Sequence, residues 1–217
     1  MSNRVNLKEI ERKAYQSTFQ DGLKDMQHGL IVICMSFMLY RPEAGYSTLN
    51  ALLPVFATIL VNSLYKAAKK YITSPRMGHV KFGNIRAGKK KNKAIALSIV
   101  IIFQILLLGV TLIGWFNLGF GQRISSFTKS NNQMDLLIAG IGASIVGFSM
   151  ILNAVFEDFL RGYYIAFLMS VAVFAMILFN QPIYPILIGL LIFIPGLVLF
   201  MNFLNKYQIS NSEKTHE

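Results

Sequence analysis

The chain has 217 residues; 54% are hydrophobic, only 14% are charged, and the formal net charge is +11. An ordinary soluble domain carries about 25% charged residues. This composition therefore excludes a conventional water-soluble globule and points to an all-α integral membrane bundle.

The first part of the chain, 1–24, is expected to be a cytoplasmic amphipathic helix. Its periodic stretch is 6–23, "NLKEIERKAYQSTFQDGL". Asn6 and Glu9 have the spacing of a capping box. Leu7, Ile10, Ala14, Tyr15, Phe19 and Leu23 recur at intervals suited to one helical face. Glu9 and Lys13 are four apart on the polar face, where opposite charges support each other. Such a helix lies on a membrane surface or against a bundle.

Apolar segments follow, and a span needs about 20 residues to cross roughly 30 Å of hydrocarbon. Six are predicted within a transmembrane region 25–207: 25–41, 48–66, 94–117, 135–156, 162–180 and 182–205. The first is short, and reads either as a span or as half of a re-entrant hairpin with the second. No small-x-small cleavage site follows it, so it reads as retained rather than as a signal peptide. Cys34 lies within it. A lone thiol makes neither an internal disulfide nor a metal site and reads as a small buried apolar group. Residues 208–217 read as a disordered tail.

Positive charge sets the orientation. Of the 21 Lys and Arg, only Arg41, Arg123 and Lys129 fall on one side of these spans, a split of 18 to 3. Basic residues accumulate on the cytoplasmic side, so both termini are expected there, in a plasma (inner) membrane. The loop 67–93 carries most of that charge. Its stretch "KKYITSPRMGHVKFGNIRAGKKKNK" contains Lys69, Lys70, Arg76, Lys81, Arg86, Lys89, Lys90, Lys91 and Lys93 and no acid. This charge pins the flanking helices. Near an anionic leaflet each cation also adds about 1 kcal/mol of attraction. The loop is therefore a candidate contact for anionic lipid headgroups or an acidic partner, and its Pro75, Gly78 and Gly83 suggest extended pieces and turns.

The stretch "YITSPRMGHV", directly after a predicted span, resembles a feature of uncharacterised small polytopic membrane proteins of prokaryotes. The resemblance covers ten residues and implies no activity.

Other motifs do not mature. "GNIRAGK" at 83–89 matches the start of a phosphate-binding loop, but Lys90 stands where Ser or Thr would hold magnesium. A short loop tethered between spans gives no basis for nucleic-acid binding. His28, His79 and His216 have no ligand-spaced partners, so no metal or cofactor is expected. No paired catalytic groups are present, and no enzyme activity is expected.

The polar stripe of the fourth span remains. Ser149, Asn153, Glu157 and Arg161 are spaced by four, with Asp158 beside them. His28 and Asn62 are expected at similar depth. One reading makes these residues the cytoplasmic end of the helix, with Asn62 and Asn153 as interhelical hydrogen bonds. The other makes them a polar cavity where Glu157 or Asp158 binds a cation, a proton or a polar substrate group. Ala139, Ala143 and Gly147 form a small-residue face for a neighbouring helix of this chain or of a second copy. Two functions follow: a non-enzymatic component that docks partners through the basic loop, or a small transporter or channel using the polar stripe.

Overall fold

The computed structural model describes residues 7–39, 48–77, 88, 91–103, 105–106 and 132–207, and among these no strand occurs. The helices are α1 (Leu7–Ser17), α2 (Leu23–Met35) with a 3-10 turn at Ser36–Leu39, and α3 (Thr48–Ala68) with a π-helical turn at Lys69–Thr73. They continue with α4 (Ser74–Met77), α5 (Asn132–Phe156), α6 (Arg161–Phe179) and α7 (Ile183–Lys206), and residues 91–103 are also helical. The chain divides into two compact units, residues 1–82 with 182–217, and residues 83–181.

Three described helical stretches are long and apolar enough to cross a membrane: Ile138–Phe156, Arg161–Phe179 and Ile183–Lys206. Their 19 to 24 residues correspond to about 28–36 Å of helix. Large apolar side chains cover the outsides: Leu52, Phe56, Ile59 and Leu60 on α3, Phe148 and Ile151 on α5, Phe167 on α6, and Leu191, Ile194 and Val198 on α7. Between the helices, small residues such as Ala139, Ala143, Ala166 and Ala172 are buried alongside larger ones such as Ile165, Ile192 and Phe203. Outward-facing apolar side chains suit a surrounding of lipid, where close backbone approach helps hold helices together.

In the first unit α2 packs on α7 and on α3. Gly22 and Gly29 on one side meet Gly196 and Gly189 on the other, seven residues apart on each side of an antiparallel helix pair. A Cβ at Gly29 would lie 2.7 Å from the Phe193 nitrogen and 2.8 Å from the Gly189 oxygen. A Cβ at Gly196 would lie 2.8 Å from the Met26 nitrogen. Backbone meets backbone at both crossings.

In the second unit α5 packs on α6. Ala139 and Ala143 are buried, and Gly147 faces Ser170, whose hydroxyl donates to the Ala143 carbonyl at 2.8 Å. The small face expected on the fourth span therefore serves the next helix of the same chain. The connection is short. Asp158 adopts φ 50, a left-handed conformation that Asp tolerates, and the chain reverses there.

Two local expectations are corrected. The first helix does not run over 6–23; among the described residues it ends at Ser17. The Ser17 and Thr18 hydroxyls donate back to the Ala14 and Tyr15 carbonyls, both at 2.7 Å. Tight turns follow, and Gly22 then takes φ 69 before α2 begins. Hydroxyl side chains that compete for backbone carbonyls favour such a stop. The loop was also expected to start extended, yet residues 69–77 continue as helix. Pro75 has no N–H, and its ring crowds the preceding turn. The wider π-turn just before it is a known way of absorbing such an insult. Residues 78–87 of the loop, Asn6 and the tail lie outside the described residues.

Candidate functional site

The residues expected at the polar site are drawn from both units. Asn153, Glu157, Asp158 and Arg161 belong to the second unit; His28 and Asn62 belong to the first. The stripe is not one continuous helical face, because α5 ends at Phe156 and Arg161 opens α6. The Arg161 guanidinium lies 5.5 Å from the centre of the Phe159 ring. Glu157 Oε1 accepts from Lys93 Nζ, a residue 64 positions earlier, and the pair is mostly buried, with side chains 16% and 23% exposed. Glu157 thus has a built-in cation. Glu157→Gln leaves that partly desolvated ammonium without its counter-charge and is expected to cost about 1–3 kcal/mol of stability. Thermal unfolding in detergent checks this, and Lys93→Gln should cost a similar amount.

Lys93 therefore does not join the free basic surface, and neither does Lys69. Lys70 and Lys91 are exposed, and Arg76 is half-buried with Nη1 donating to the Ile72 carbonyl at 3.3 Å. Lys81, Arg86, Lys89 and Lys90 lie outside the described residues.

The first unit holds the larger polar assembly, most of which the sequence reading missed. Asp21 is wholly buried, with 0% exposure, and Lys24, Asp25 and His28 are buried along α2. Asp21 Oδ2 accepts from Lys69 Nζ at 2.7 Å and from the Thr73 hydroxyl at 2.8 Å. Lys69 also donates to the Thr18 carbonyl, at the turn that ends α1. The π-turn supplies both Lys69 and Thr73 to the carboxylate, four residues apart on one face. Lys24 lies over the Phe19 ring at 4.6 Å from its centre. His28 Nδ1 donates to the Lys24 carbonyl at 2.6 Å, which places a ring proton on Nδ1. Gln27 Nε2 donates to Asn62 Oδ1.

A signal for this assembly was present: five ionisable or amide side chains, Asp21, Lys24, Asp25, Gln27 and His28, crowd the approach to the first apolar run. On α1, Glu9 pairs with Lys13 at 3.1 Å, as its spacing predicted, and the Lys13 hydrogen bond holds the Glu9 carboxyl below its usual range. Among the described residues no group of His, Cys, Asp or Glu converges as a metal site. Cys34 is a buried free thiol.

No protein-family model, curated protein or solved structure matches this chain.

Proposed function

We propose that the chain is a six-span integral protein of the plasma membrane with both termini cytoplasmic. It acts as a non-enzymatic partner-binding or regulatory component through its basic cytoplasmic face. Three apolar helices of sufficient length support the membrane setting, and the 21 residues of α3 make a fourth span of adequate length. Residues 23–39 and 91–106 contribute to the other two.

The observation that carries the docking reading is how the cations are used. Lys69 and Lys93 are held by internal acids. Lys66, Lys70 and Lys91 are exposed, and no ion pair among the described residues engages them. Lys70 lies 5.2 Å from the centre of the Tyr71 ring, which is itself 70% exposed. Aromatic and basic side chains together suit the headgroup level of a bilayer. The surface fits anionic lipid headgroups and an acidic face of another membrane protein or of a second copy.

Replacing Lys89, Lys90 and Lys91 by Gln tests this without disturbing the Lys93–Glu157 pair. Crosslinks from position 70 to a partner chain should fall at least several-fold, with insertion unchanged. Glu157→Gln with Asp158→Asn should leave them intact. Crosslinks indifferent to the lysines, or cysteine labelling that puts position 90 outside the cell, would remove the docking reading.

Transport is the second reading. The buried ionisable groups along α2 favour it, because such groups inside a bilayer commonly mark ion or substrate pathways.

A further inference from the structure

Two neighbouring lysines point opposite ways where α3 passes into the π-turn. Lys69 turns inward to Asp21. Lys70 stays exposed, beside the exposed Tyr71 ring. Lys66, four residues before Lys70, is exposed as well. Earlier on the same helix Leu52, Phe56, Leu60 and Leu64 recur every four residues, and all are exposed. That spacing makes them one outward stripe. We propose that this side of α3 binds one anionic phospholipid. Its acyl chains lie along the stripe, and Lys66, Lys70 and the Tyr71 hydroxyl hold its phosphate.

The dimensions fit. From Leu52 to Leu64 the helix rises about 18 Å. One leaflet supplies about 15 Å of hydrocarbon, half of the roughly 30 Å core. The cations begin where the stripe stops, so they fall at the level of the headgroups. Lysine stems lie along apolar surface while their ammonium groups reach that level. An ammonium and a phenol both donate to phosphate oxygens, and the ammonium bond is strengthened by charge.

The electrostatics fit too. Positions 44–134 contain no Asp or Glu, so α3 and the π-turn set no like charge against a phosphate. Asp21, which faces the π-turn from the approach to α2, is wholly buried and accepts from Lys69 and Thr73. Helix also runs on through the π-turn and α4 to Met77. The negative end of its dipole, confined to the last turn, therefore lies beyond Lys66 and Lys70. An acidic protein face would meet the cations but would leave the stripe for something else to cover. A phospholipid matches both parts at once. This inference deepens the docking reading, because it rests on the same basic face and names its occupant at α3. The crosslinking test reads Lys89, Lys90 and Lys91 against a partner chain. The test below contains no partner chain, so either can fail alone.

Native mass spectrometry of the full chain in detergent, titrated with phosphatidylglycerol or phosphatidylcholine, decides it. The wild type should retain phosphatidylglycerol more strongly than phosphatidylcholine. Lys66→Gln and Lys70→Gln should each weaken that retention about fivefold, equivalent to about 1 kcal/mol per cation. Lys206→Gln removes an exposed charge from α7 and should leave it unchanged. Glycerol 3-phosphate, a headgroup without chains, should not displace the lipid, because it has nothing to lay along the stripe. Equal retention of the two lipids would overturn the proposal. An equal loss in Lys206→Gln would overturn it as well, by reducing the effect to diffuse charge. Displacement by glycerol 3-phosphate would show a site for free phosphate groups and not for a lipid.

Discussion

Lys69→Met is expected to lower the unfolding free energy by about 3–5 kcal/mol, the usual cost of removing one member of a buried ion pair. The cost comes from what is left behind. Asp21 is wholly enclosed and would keep only the Thr73 hydroxyl as a donor, and the Thr18 carbonyl would lose Lys69 as well. The partner change is milder. Asp21→Asn leaves an ammonium whose side chain is already 26% exposed and is free to turn toward solvent. Combining Asp21→Asn with Lys69→Met should recover most of the loss, because no buried charge then remains uncompensated. Denaturation in one detergent across the four proteins of this cycle measures the coupling. Additive losses would show that Asp21 and Lys69 do not act as a pair.

Gly29→Val should cost roughly 3 kcal/mol or more, at the upper end of overpacking penalties. The atoms in the way are the Phe193 nitrogen and the Gly189 oxygen, at 2.7 and 2.8 Å from the new Cβ. These are backbone atoms and have no rotamer to change. The helices must separate, and separation at Gly29 also opens the crossing of Gly22 with Gly196. Gly140→Ala is the contrasting case. No atom lies within 4 Å of a Cβ there, and alanine favours helix over glycine by about 1 kcal/mol. That variant should unfold at the same temperature as the wild type or slightly above it. Equal effects at positions 29 and 140 would show that α2 and α7 do not meet through these glycines.

The second of these expectations could not have been formed from periodicity. Pairing Gly22 with Gly196 and Gly29 with Gly189 needs the knowledge that α2 lies antiparallel against α7, more than 150 positions away in the chain. The small face of α5 was easier to see, because Ala139, Ala143 and Gly147 repeat every four residues within one helix. Its partner still came from the structure, through Ser170. The Gln27–Asn62 bond, across 35 positions, had no trace in the sequence. Glu157 was recognised as a group of interest, but Lys93 as its counter-charge was not, since a contact across 64 positions leaves no local trace. Asp21 and Lys69 escaped for the same reason. Lys69 read as part of the basic lipid- or partner-contact loop, and Asp21 was not singled out at all.

Helix positions were legible because they depend on local hydropathy and length. The segments predicted at 135–156, 162–180 and 182–205 correspond to Asn132–Phe156, Arg161–Phe179 and Ile183–Lys206. The one predicted at 48–66 corresponds to Thr48–Ala68. An apolar run of this length has few alternatives to a helix in lipid, because every backbone N–H and C=O must be bonded internally. Which charges are hidden, which glycines touch and which acid faces which amine depend on how distant segments meet. Those choices are made by helix–helix packing, and only the folded chain could reveal them.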